Sequence, residues 1–170
     1  GASPLVGLAE EIPRIHMNNS YPMSKDDWGY VTSTGHIFLN PRKDGTVGEW
    51  TYALAHLMLH LGLGHLQENR IHDPVWQQAC DIAVTRFLLD GKIGPPPMDV
   101  SGILNIAAVD EEKLYRQFLA EPDERLGSNL SLMSHGRLDM VWDGVSRFRD
   151  FEAAFANSLR HSLRESIQLA

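Results

Sequence analysis

The run Thr51-Tyr-Ala-Leu-Ala-His56-Leu-Met-Leu-His60-Leu-Gly-Leu-Gly-His65 constrains this chain more than any other segment. It reads as a helix whose apolar sequence is broken by imidazoles at a spacing of four. Residues at i and i+4 share one helix face, with Cβ atoms about 5–6 Å apart. A buried stretch of this kind must supply partners for both rings. One cation, reached by each ring at about 2.0–2.1 Å, meets that need. The plainer alternative is a pair of ordinary polar residues on a helix.

Local signals bracket this helix. Thr46-Val-Gly-Glu49 forms a capping box, which predicts a helix from Val47 to Leu61. Gly62 and Gly64 offer a left-handed exit. Upstream, His36-Ile-Phe-Leu39 reads as a strand between Gly35 and Asn40-Pro41. Ile37–Leu39 is expected at a sheet edge, either as an ordinary edge strand or as one that pairs with an extended chain. Downstream, Asp73-Pro74 starts a second helix with Val75, Ala79, Ile82, Ala83 and Phe87 as its apolar stripe, stopped at Asp90-Gly91. Gly94-Pro-Pro-Pro97 is a stiff connector. Asp110 caps a third helix carrying Leu114, Phe118 and Leu119. Residues 121–142 read as loop. A last helix, about 143–167, carries Phe148, Phe151, Phe155, Leu159 and Leu163 at helical spacing. A short helix is expected before Pro13.

These elements predict an α+β domain, helix-dominated, with a small sheet ahead of the histidine-bearing helix. A chain of 170 residues suits one domain, placed at residues 5–170, and Gly1-Ala-Ser-Pro4 reads as a tag remnant. The net charge of −7 argues against nucleic-acid binding. No apolar run approaches the roughly 20 residues of a membrane span, and no signal peptide is evident. The single cysteine, Cys80, fits a reducing cytoplasm and reads as a buried, inert thiol.

Two residues compete to be the third ligand. Asp81 lies in the apolar stretch Ala79-Cys80-Asp81-Ile82-Ala83, where a buried carboxylate is costly unless paired or bound to a cation. It could equally accept the distal N–H of a liganding histidine. His65 lies just past the glycine exit, so the chain could fold it back. The candidate metal set is therefore His56 and His60 with Asp81 or His65, or both. This donor set suits Zn²⁺, although residue type also admits nickel, copper or iron. If both extra ligands bind, the shell is closed, which marks a structural site; an open position marks a catalytic one.

The spacing of His56 and His60 is that of the zinc-peptidase motif His-Glu-x-x-His, with Leu57 in place of the glutamate. The stretch from Ile37 to Pro97 resembles the N-terminal metallopeptidase-type domain of bacterial VWA-like proteins. The matching pieces are Ile37-Phe-Leu-Asn-Pro41, Trp50, His56, His60, Leu63-Gly-His65 and Trp76-Gln-Gln-Ala-Cys-Asp81-Ile-Ala-Val84. They cover about a third of the chain. The resemblance implies a zincin-like fold, a bound zinc ion, a peptide or protein as substrate or partner, and association with MoxR-type ATPases. This chain departs from the pattern at Leu57 and at Gln77, where the family usually has asparagine.

Leu57 bears on activity. In a zinc peptidase the glutamate takes a proton from metal-bound water, and such acid–base groups contribute roughly 10²–10⁴-fold. Glu68, His72 and Asp73 are close enough in sequence to be weighed as substitutes, and Glu49 is committed to the cap. None has the fixed offset from a ligand that aims the motif glutamate. The expectation is thus a zinc-binding, metallopeptidase-like domain that is weak or inactive as a hydrolase. The alternative is a non-catalytic peptide- or protein-binding module with a structural metal.

Overall fold

The structure, a computed structural model, describes residues 13–18, 22–106, 110–122 and 129–145. It is an α+β arrangement. The strands are β1 (Arg14–His16), β2 (Gly29–Thr32), β3 (His36–Leu39) and β4 (Met140–Val141); the helices are α1 (Val47–Gly62), α2 (Pro74–Asp90) and α3 (Glu111–Ala120). A 3₁₀ turn, Ser101–Ile103, lies between α2 and α3.

The sheet order is β1-β3-β2-β4. β2 and β3 form an antiparallel pair, with Val31 opposite Ile37. β1 runs parallel to β3, and β4 parallel to β2. The segment Ile37–Leu39 is therefore interior to the sheet, and the expected edge position is corrected: β1 and β2 occupy both of its hydrogen-bonding sides. Arg14–His16 has no alternating burial of its own, and its pairing with β3 makes it a strand. The fourth strand arrives about a hundred residues later than the others.

α1 begins and ends on its local signals. The Thr46 hydroxyl accepts from the Glu49 N–H at 3.1 Å, and the Glu49 carboxylate accepts from the Thr46 N–H at 2.9 Å. Gly64 takes φ +72, turning the chain so that the His65 N–H reaches the His60 carbonyl at 3.0 Å. α2 starts on Asp73, whose carboxylate accepts from the Val75 N–H, with Pro74 in the first turn. Asp110 caps α3 by accepting from the Lys113 N–H.

The main core lies between the sheet and α1, where Val31, Ile37 and Leu39 meet Ala53, Leu57 and Leu61, closed by Trp76 and Cys80 of α2. A second cluster joins α2 to α3 through Ala79, Ile82, Leu114 and Phe118. Leu119 is exposed and takes no part in it. The terminal helix expected over 143–167 falls almost wholly outside the described residues, as do residues 1–12, which hold the tag remnant and the short helix expected before Pro13.

Candidate metal centre

α1 delivers His56 and His60 from one face, both fully buried. α2 packs beside it and brings Asp81, only 4% exposed, to the same point. A fourth residue, Asp139, completes the group and is also fully buried. It arrives on the segment leading into β4. Its carbonyl accepts from the Val31 N–H at 2.8 Å, which ties the segment to the sheet. Its Oδ2 accepts from the Leu132 N–H at 2.8 Å, which aims the carboxylate at α1.

The donor atoms converge tightly. His56 Nε2 and His60 Nε2 are 3.0 Å apart. Asp81 Oδ1 lies 3.0 Å from His60 Nε2 and 3.5 Å from His56 Nε2. Asp139 Oδ2 is 2.9 Å from His56 Nε2, and Asp139 Oδ1 is 3.3 Å from His60 Nε2. A tetrahedral shell with bonds of 2.0–2.1 Å has edges of about 3.3–3.4 Å. The five separations run from 2.9 to 3.5 Å, and one donor atom from each of the four residues lies within 4.8 Å of all the others, close enough to share one ion.

Protons alone serve this arrangement poorly. Each Nε2 carries at most one hydrogen. His60 Nε2 faces another ring nitrogen and an oxygen from each of two carboxylates. Asp139 Oδ1, buried, has no hydrogen-bond partner among the described residues. A single divalent cation would engage all four residues at once. It would also neutralise the two carboxylate charges, leaving a buried centre with no net charge. Without a cation, the rings must carry the compensating charge. Burial opposes this, but the Asp139 and Asp81 carboxylates together outweigh it and hold His56 above its usual range. Burial likewise opposes charge on His60, and the facing Asp139 and Asp81 push it up to about 9. Burial would raise Asp139, yet the two rings draw its carboxyl well below the ordinary range.

The structure brings three of the four sequence-predicted residues, His56, His60 and Asp81, into the cluster and places His65 behind it. The His65 Nδ1 is 3.0 Å from His60 Nδ1, on the side of that ring away from the converging donors. Its Nε2 is 2.7 Å from Glu111 Oε1. Burial keeps His65 below the usual histidine range despite the nearby carboxylate. The Trp76 indole N–H donates to the His65 carbonyl at 2.9 Å and anchors the returning loop. Gln77 stays buried and donates its amide to the Ile71 carbonyl, which braces the same loop.

Leu57 is fully buried in the core between α1 and the sheet. The residues weighed as substitute bases do not join the His/Asp cluster. Glu68 and His72 are exposed, Asp73 caps α2 and accepts from the Tyr115 hydroxyl, and Glu49 closes the capping box. Cys80 is buried, and burial pushes its thiol well up. Asp139 escapes a reading of residues 121–142 as loop. The signal that points to Asp81 is present there too: an acid set among apolar residues in Leu138-Asp139-Met140-Val141-Trp142.

The described residues contain no helix long and apolar enough to cross a membrane. Comparison with family models, curated proteins and solved structures gives no match to this chain.

Proposed function

We propose that this domain holds one divalent ion, zinc in the first instance, through His56, His60, Asp81 and Asp139, and that the ion is structural. The convergence of four buried donor residues within reach of one ion carries this reading. Four protein ligands close the shell, whereas catalytic zinc sites keep a position for water or substrate. Nitrogen and carboxylate donors suit zinc, and manganese, cobalt or iron would use the same atoms.

The resemblance to the metallopeptidase-type domain of VWA-like proteins supports descent from a peptidase. In that reading the chain keeps the histidine pair and lacks the proton-handling group. The domain then acts as a non-catalytic module for a peptide or protein partner. A MoxR-type ATPase is the partner the resemblance suggests. The burial of Leu57 favours this over a hidden peptidase, because the side chain at that position occupies the core.

Elemental analysis of protein purified without added metal is the direct test. One equivalent of zinc or another divalent metal per chain is expected, with a fall in melting temperature on exhaustive chelation. Substoichiometric metal together with an unchanged melting temperature would overturn the proposal. Hydrolysis of a peptide library by the metal-loaded protein would reject the structural assignment while keeping the metal.

A further inference from the structure

The two histidines of the cluster are supported differently. The Nδ1 of His56 has no hydrogen-bond partner among the described residues. The Nδ1 of His60 opens a chain: His65 Nδ1 at 3.0 Å, then from His65 Nε2 to Glu111 Oε1 at 2.7 Å. All three side chains are largely buried, with Glu111 reaching the rim at 9% exposure. The chain thereby links α1 to α3, since Glu111 opens α3, and α3 packs on α2, which carries Asp81.

We infer that Glu111 is a positioning residue for the metal centre, acting through His65 on the tautomer and orientation of His60. This rests on the metal reading given above. If His60 offers its Nε2 lone pair to an ion, its proton sits on Nδ1. His60 then donates and His65 Nδ1 accepts. A neutral His65 must carry its own proton on Nε2, where the Glu111 carboxylate accepts it. The chain is satisfied in this one direction, with one donor and one acceptor at each link. The carboxylate at its end favours that direction and makes His60 a stronger ligand. Partners of this kind typically alter metal affinity 10–100-fold. The site of Glu111 suits a carboxylate, since the first turn of a helix favours negative charge.

The test compares wild type, Glu111→Ala and Glu111→Gln. Zinc affinity is measured by competition with a chromophoric chelator, well below every melting temperature. The Co²⁺-substituted proteins are compared by visible absorption, which reports ligand geometry. Glu111→Ala is expected to weaken zinc binding roughly 10–100-fold and to shift the Co²⁺ bands. Glu111→Gln keeps an acceptor oxygen without the charge, so it should fall between the other two. A purely structural role would lower the metal-free melting temperature and leave affinity and spectrum unchanged, which overturns the inference. If the alanine variant fails to fold, the glutamine variant decides by the same readouts. A wild type that takes up neither zinc nor cobalt removes the metal reading and this inference together. A wild type that binds, with variants that bind equally well, removes only the role of Glu111.

Discussion

At the scale of single residues, the centre depends on charges that local sequence cannot pair. Replacing Asp139 with alanine deletes one of the two carboxylates of the cluster and leaves the Leu132 N–H without its acceptor and His56 Nε2 without its nearest carboxylate oxygen. The expected outcome is loss of stoichiometric metal by elemental analysis, with a destabilisation of about 3–5 kcal/mol in denaturant titration, the usual cost of breaking a buried ion pair. The pH dependence has a defined sign. Ligand histidines must shed protons before an ion binds. His60, raised to about 9 from an ordinary 6.5 in the metal-free protein, keeps its proton through neutrality. Zinc affinity should therefore climb as pH rises toward about 9, by up to tenfold per pH unit for each proton displaced. The metal-free protein behaves oppositely: the raised histidines stabilise it fully below their unfolded value, and that contribution is lost as pH rises through the folded one. Isothermal titration at several pH values checks the first, and melting of chelated protein checks the second. Leu57→Glu is a third test at this scale. It would place a carboxylate in the α1–sheet core, so it should lower the melting temperature and confer no peptide hydrolysis.

At the scale of elements, α1 is the most locally determined part of the molecule. Its capping box, apolar content and glycine exit all act within a few residues, and the helix forms where they place it. The exit at Gly64 has a further consequence. Its φ of +72 is what returns His65 to His60. Gly64→Ala should cost about 1–2 kcal/mol, because an L side chain is strained in the left-handed region. It should also weaken metal binding if the returning loop shifts; equilibrium unfolding and chelator competition report the two effects separately. α2 likewise starts at its Asp-Pro signal, whose cap and preset backbone angle act locally. The sheet was less legible. β3 follows from its composition, but β1 and β4 are short and owe their extended form to partners far away in sequence. The expectation of an edge strand at Ile37–Leu39 fails for that reason: a segment's position in a sheet depends on what else joins the sheet.

At the scale of the whole molecule, the turn that precedes Asp139 in sequence is pinned at Ser134 and Arg137 by a polar framework around Asp27. That carboxylate is fully buried and accepts from the Ser134 N–H and hydroxyl, the Ser24 N–H and the Arg137 guanidinium. Burial would raise its pKa, but these donors together bring it below the ordinary value. A depressed carboxyl stabilises the fold above its unfolded value of 3.8, and that contribution is lost as pH falls through the folded value. In chelated protein, Asp27→Asn should therefore lower the melting temperature near neutrality and flatten its dependence on acid below about pH 4. Equal acid sensitivity in wild type and variant would contradict this.

What the sequence determined by itself is the α+β class, the three described helices with their caps, and three residues of the cluster: His56, His60 and Asp81. Capping, helical periodicity and the cost of a carboxylate in an apolar run are all short-range effects. Tertiary structure decided the rest. Asp139 meets His56 across 83 residues, and Glu111 meets His65 across 46. It also decided that His65 stands behind the centre while Asp139 stands within it. Helical spacing can put two imidazoles on one face, but which carboxylates complete the cluster depends on how distant segments pack against that face.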